Sequence, residues 1–195
     1  MEKAAGALAD ILVRKNIVEK QDRDFYRYAI ETVLVYAINF ITIFILAAVT
    51  GKLLELFLLL AVFYPLRTNC GGKHMNTWYS CYIISCINME AVLLISGVMR
   101  VHIAVLSVVM AMCIICIWLL APVEHHDHPM EEQDFIKSRK KVRIFSILVA
   151  IAAFIFKYLN YETGASICLC SEVLCSVLLL WSLMEGKIDI INNRE

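Results

Sequence analysis

Long apolar runs separated by short polar breaks set the pattern of this chain. Residues 3–15 carry apolar side chains at Ala4, Leu8, Ile11 and Leu12, with Lys3, Asp10, Arg14 and Lys15 between them. That is helical spacing, and it predicts an amphipathic N-terminal helix within residues 1–20, lying at a membrane surface. The run from Tyr26 to Thr50 is long enough to cross a bilayer, and Gly51 and Lys52 end it. Leu53–Leu66 is apolar apart from Glu55 but only about 14 residues long, so it crosses obliquely, re-enters, or is shielded by neighbours. Pro65 sits at its end. Cys81–Met99, Ile103–Ala121, Ile144–Leu159 and Ala165–Met184 are the remaining apolar runs, and residues 122–143 form a polar loop with some helix. No internal repeat is visible. The expected fold is an all-α polytopic transmembrane bundle of about six apolar segments, forming one membrane domain over residues 1–195.

Composition agrees. Hydrophobic residues make up 61% of the chain and mean hydropathy is +0.72, against roughly half apolar in soluble domains. The formal charge is zero, so bulk charge suggests no nucleic-acid partner. Glu2, Asp10 and Glu19 lie in the first twenty residues, which therefore do not read as a cleavable signal peptide. With six crossings and the N-terminus inside, every Lys and Arg except Lys52, Arg100 and Lys157 falls in inside segments. The positive-inside rule then predicts cytoplasmic termini and a cytoplasmic 67–81 segment.

Six of the eight cysteines, Cys86, Cys113, Cys116, Cys168, Cys170 and Cys175, fall inside apolar runs. There they behave as small hydrophobes, and their spacing is not a secreted disulfide framework. His74 and Cys81 are different. They lie in Arg67-Thr-Asn-Cys-Gly71-Gly72-Lys-His74-Met-Asn-Thr-Trp-Tyr-Ser-Cys81, the clearest polar interruption between apolar runs. A thiol and an imidazole beside a Gly-Gly turn are the parts of a cysteine acyl-transfer site. Seven residues along an unbroken helix would place them roughly 10 Å apart, too far for a hydrogen bond. A working pair therefore needs a bend, for which Gly71 and Gly72 give backbone freedom. Cys81 falls where the next apolar helix begins, and amides at such an end favour thiolate and can hold an oxyanion. Asn76, Thr77 and Ser80 are weak candidates for a third, orienting group. The ordinary alternative is chance proximity of one His and one Cys in a cysteine-rich chain.

The pattern Arg67-x-x-x-Gly71-Gly72-x-His74-x-x-x-x-x-x-Cys81, followed by a hydrophobic helix, resembles the accessory gene regulator B family, membrane cysteine endopeptidases of quorum sensing. Ala121-Pro122-Val123-Glu124 resembles that family's Ala-Pro-acidic segment, and the order of apolar runs fits over nearly the whole chain. The resemblance implies His74 as catalytic base and Cys81 as nucleophile, with Arg67, Gly71, Gly72 and Glu124 in substrate binding or structural support. It implies a short AgrD-like propeptide as substrate, loss of its acidic C-terminal tail, closure of a thiolactone or lactone, and a homodimer in membrane lipid. No cofactor and no metal are implied.

Lys137, Arg139, Lys140 and Lys141, with Arg143, either attract an acidic tail or anchor the chain to anionic lipid. Arg67 orients a carboxylate, caps a local carbonyl, or serves only as a positive-inside anchor. Glu124-His125-His126-Asp127-His128 has poor metal-ligand spacing and reads as a solvated loop. Glu90, expensive in lipid, is expected to face the bundle interior in a packing role. A small polytopic transporter using Glu90, Asn88 and the His-rich loop is one alternative to an enzyme, and a non-enzymatic membrane scaffold is another.

Overall fold

The computed structural model describes residues 2–15, 17–71, 78–123 and 132–192. Its helices are α1 (Glu2–Arg14), α2 (Arg23–Val49, preceded by a short 3-10 turn), α3 (Leu53–Cys70), α4 (Trp78–Val98), α5 (Ile103–Leu120), α6 (Glu132–Tyr158) and α7 (Glu162–Asn192). A backbone in hydrocarbon must satisfy its own N–H and C=O groups, and helices do so within one segment. Among the described residues, five helices are long and apolar enough to cross a membrane: Lys20–Val49, Leu53–Cys70, Tyr79–Val98, Ile103–Leu120 and Glu162–Met184. Large apolar side chains stand open on them, Leu54 at 81% and Val98 at 84% exposure. Patches of that kind are not left bare to water but suit contact with lipid chains.

Two of the expected boundaries move. The short run ending at Leu66 is part of an 18-residue helix that continues through Pro65 to Cys70, so it reaches crossing length. The fifth run, from Ile144, is the second part of α6, whose first part carries Lys137, Arg139, Lys140, Lys141 and Arg143. The polar stretch 132–143 is thus helical, and α6 is not among the five helices that meet the crossing criterion.

The chain divides into two compact units, residues 1–51 with 75–90, and residues 52–74 with 91–195. In the first, α1 packs on α2 through Ala5 and Ala9, both buried, and an Asp10–Arg23 ion pair of 2.7 Å joins them. Of the predicted apolar face, Leu8 and Ile11 remain exposed. Along α2 the buried positions are Val35, Asn39, Ile43 and Ala47, one stripe at a four-residue interval. Across from it, Thr42 Oγ1 and Tyr82 Oη lie 3.0 Å apart, and Cys86 Sγ donates to Asn39 Oδ1 at 3.6 Å. Tyr82 and Cys86 are one helical turn apart, so the first part of α4 is held on α2 by polar contacts.

In the second unit α7 packs against α3, α5 and α6. Leu56, Leu59, Leu66 and Cys70 of α3, Leu106, Met110 and Ile117 of α5, and Ile167, Cys168, Cys175 and Leu179 of α7 are buried there. Ala150 and Ala153 are also buried, on α6. Lys52 Nζ donates to Leu93 C=O at 2.8 Å, Ser166 Oγ donates to Met99 C=O at 3.0 Å, and Lys157 pairs with Glu162 at 2.6 Å. Two of the three basic residues predicted at the outer ends, Lys52 and Lys157, therefore have protein partners.

Candidate functional site

The site begins where α3 ends. Pro65 lies inside α3, and a proline there leaves an i−4 carbonyl without its donor. Polar side chains after it add bonds to nearby carbonyls. Thr68 Oγ1 donates to Tyr64 C=O at 2.9 Å, and Asn69 Nδ2 donates to Pro65 C=O at 2.8 Å. The helix stops at Gly71, which adopts φ 72° and ψ −159°. A positive φ of this kind suits glycine.

Three contacts meet at this stop. Arg67 Nη1 donates to the Gly71 carbonyl. The Val123 amide donates to Cys70 C=O at 3.0 Å, so a carbonyl that the helix leaves orphaned is satisfied from outside. Gly71 and Val123 form a parallel β-bridge. A Cβ on Gly71 would overlap the Val123 carbonyl oxygen. The Ala121-Pro122-Val123 segment is therefore seated directly on the chain where it leaves α3, with Ala121 only 3% exposed and the Ala121–Pro122 peptide cis.

The segment is held from its other side by α5 and α6. Arg143 Nη2 donates to Trp118 C=O at 3.1 Å, and its guanidinium lies 5.6 Å from the Trp118 ring centre. Trp118 Nε1 donates to Ser146 Oγ at 3.1 Å. The ends of α3 and α5 and the middle of α6 thus form one junction. Lys137, Arg139, Lys140 and Lys141, within the two turns before Arg143, are exposed; Lys137 pairs with Asp134 at 3.1 Å.

Cys81 is the fourth residue of α4, in its first turn, and its thiol is free and half-buried. It belongs to the unit containing α1 and α2, with neighbouring Tyr82 bonded to Thr42. Gly72, His74 and Glu124, and the cluster at residues 125–128, lie outside the described residues. The structure thus brings Arg67 and Gly71 together with the Ala-Pro segment, and gives Cys81 its place on α4.

One buried group was missed in the sequence. Glu172 on α7 is fully buried, and neither carboxyl oxygen has a hydrogen-bond partner. Cys113, Cys168 and Cys175 are its electrostatic neighbours. A charged residue within an apolar run was the available signal, the same one that singled out Glu90. Glu90 itself is half-buried on α4, with its Oε2 buried and unpartnered. All eight cysteines are free thiols, and Cys70 and Cys175 share a side-chain hydrogen bond between α3 and α7. Among the described residues no His, Cys, Asp and Glu side chains group as a metal site.

Apolar helices of crossing length define a multi-pass membrane protein. The family model described as Accessory gene regulator B matches residues 5–182, and the chain belongs to that family. Membership ties it to the processing of quorum-sensing peptides, in a protease-like role with an AgrD-like propeptide as partner. No curated protein and no solved structure matched the chain.

Proposed function

We propose that the protein is a membrane cysteine endopeptidase and cyclase acting on an AgrD-like propeptide, with Cys81 as nucleophile and His74 as base. The observation that carries this is the placing of Cys81 in the first turn of α4. Unpaired amides at a helix start can stabilise an oxyanion. His74 takes the thiol proton as Cys81 Sγ attacks the peptide carbonyl at the signal–tail junction. The C–N bond breaks, His74 returns the proton to the leaving amine, and an acyl-thioester remains on Cys81.

A thiol or hydroxyl within the signal sequence then attacks that thioester. The ring closes, and the Cys81 thiol is regenerated. Thioester exchange is nearly balanced, whereas forming a thioester from a peptide bond is uphill, so departure of the tail or partition of the product into lipid must draw the reaction forward. Water has to be kept from the acyl-enzyme, since hydrolysis yields a linear dead end.

Arg67 and Gly71 support the segment, with Gly72 and Glu124 assigned the same role. Lys137, Arg139, Lys140 and Lys141 receive the acidic tail. With the apolar part of α6 as the sixth crossing, both termini and the catalytic segment face the cytoplasm, which keeps the thiol reduced, and the working form is a homodimer in the bacterial cytoplasmic membrane. The whole chain acts as one peptidase domain.

A propeptide co-expressed with the wild-type protein is expected to lose its C-terminal tail, and with Cys81→Ser to stay intact. Mass spectrometry is expected to show a product one water lighter than the linear fragment and an acyl adduct on Cys81. Tail loss undiminished in folded, membrane-inserted Cys81→Ser would sink the proposal, and an intact propeptide with both proteins would favour a transporter.

A further inference from the structure

We infer that the Ala121-Pro122-Val123 segment is a positioning element for the peptidase, fixing through main-chain contacts the point from which the His74-bearing chain departs. The role presupposes the activity proposed for Cys81 and His74. Helix α3 is already anchored by buried Leu56, Leu59, Val62, Phe63 and Leu66. Yet contacts also concentrate at its end: Val123 N–H on Cys70 C=O, Arg67 on Gly71 C=O, and the Gly71–Val123 bridge.

Two successive carbonyls are thus occupied, one by a side chain of α3 itself and one by the incoming segment. That fixes the peptide plane at Gly71 as well as its position. His74 is three residues further on, and each residue spans at most about 3.6 Å, so the departure point limits where the imidazole can be delivered. Displacement of a reacting group by about 1 Å can cost a hundredfold in rate.

The segment has a rigid mount. Ala121 N–H bonds to Ile117 C=O at 2.9 Å, continuing α5. Arg143 and Ser146 of α6 hold Trp118 one turn earlier. Gly71 has no room for a side chain because the Val123 carbonyl lies there. The same contact can therefore be broken from either partner.

The test uses full-length protein in lipid nanodiscs with a synthetic propeptide. Val123→Pro removes the bonding N–H, Gly71→Ala forces the bridge apart, and Val123→Ala keeps the N–H. Hydrogen exchange reports the Val123 amide, or its neighbours in Val123→Pro, and thermal unfolding reports the fold. The Val123 amide is expected to be protected in wild type and in Val123→Ala. Val123→Pro and Gly71→Ala are expected to lose protection around the bridge and to drop kcat for tail release about ten- to hundredfold, with KM within about twofold.

Free exchange at Val123 in wild type would overturn the inference, as would wild-type kcat in folded variants that have lost protection. If both variants fail to fold, the decisive sample is Cys81→Ser with propeptide bound. There retained Val123 protection supports the role and its loss overturns it. A wild type that protects Val123 but releases no tail defeats the peptidase reading and the positioning role with it, leaving the pairing as a feature of the fold alone.

Discussion

Glu172 and Gly71 show how much one residue depends on its surroundings. The glycine was legible: Gly71-Gly72 beside His74 marks a turn, and the structure gives Gly71 a positive φ and a backbone neighbour where a Cβ would be. Glu172 was not. Its burial follows from the packing of α7 against α3, α5 and α6, and one sequence does not reveal which apolar run lies innermost. Leaving a buried polar group unpaired costs about 1–3 kcal/mol. Glu172→Met, of similar length and without charge, is accordingly expected to stabilise the protein by about 1–3 kcal/mol. Denaturant unfolding in detergent micelles reads this, and a less stable Glu172→Met protein would mean that the carboxyl has a partner it keeps.

Helix ends were harder to read than helices. Apolar runs located α2, α4, α5 and α7 well, because lipid-facing and core-facing positions are both hydrophobic. The end of α3 was misplaced because Pro65, Arg67, Thr68 and Asn69 look like a loop. Within the helix, Thr68 and Asn69 bond to carbonyls one turn back, so the polar residues extend the helix instead of ending it. In α6 the hydropathy changes at Ile144 while the backbone hydrogen bonding does not. At the N-terminus, spacing identified α1, but its docking on α2 through Ala5 and Ala9 needed the structure.

That docking has a pH dependence. The Arg23 guanidinium, mainly through its hydrogen bond, holds the Asp10 carboxyl below its ordinary value of 3.8. A lowered folded-state value means the pair contributes fully above 3.8 and loses its contribution as pH falls through the folded value below that. The pair is exposed and solvent-screened, so the effect is small. The protection of the α1 amides, corrected for the intrinsic slowing of exchange in acid, is expected to fall in that range. Asp10→Asn should show faster exchange already at neutral pH and no further acid step from this pair; a step of unchanged size would assign it to another group.

Across the whole molecule, charge is unevenly placed. In the unit built on α7, the α3–α5–α6 junction carries Arg67, Arg143 and the exposed Lys137, Arg139, Lys140 and Lys141. Arg143 is engaged with Trp118, which separates it from the four exposed residues although all five read as one basic run in the sequence. Replacing those four by Gln is expected to raise KM for an acidic-tailed propeptide several-fold and to flatten its dependence on salt, with kcat little changed. Steady-state kinetics between low and physiological ionic strength measure this, and an unaltered salt dependence would assign the cluster to lipid. The class of fold and the family were legible in the sequence. The clasp at Gly71 was not, because it joins residues some fifty positions apart.

The distribution of thiols bears on inhibitor design. Cys70, Cys113, Cys168 and Cys175 are buried, whereas Cys81, Cys86, Cys116 and Cys170 are half-buried. Of these four, only Cys81 lies in the opening turn of its helix; the others sit deeper in apolar spans. A polar electrophile that stays out of hydrocarbon would discriminate by depth among eight chemically similar sulfur atoms. Selectivity for one warhead target can thus come from where the reagent partitions, without any tuning of its intrinsic reactivity.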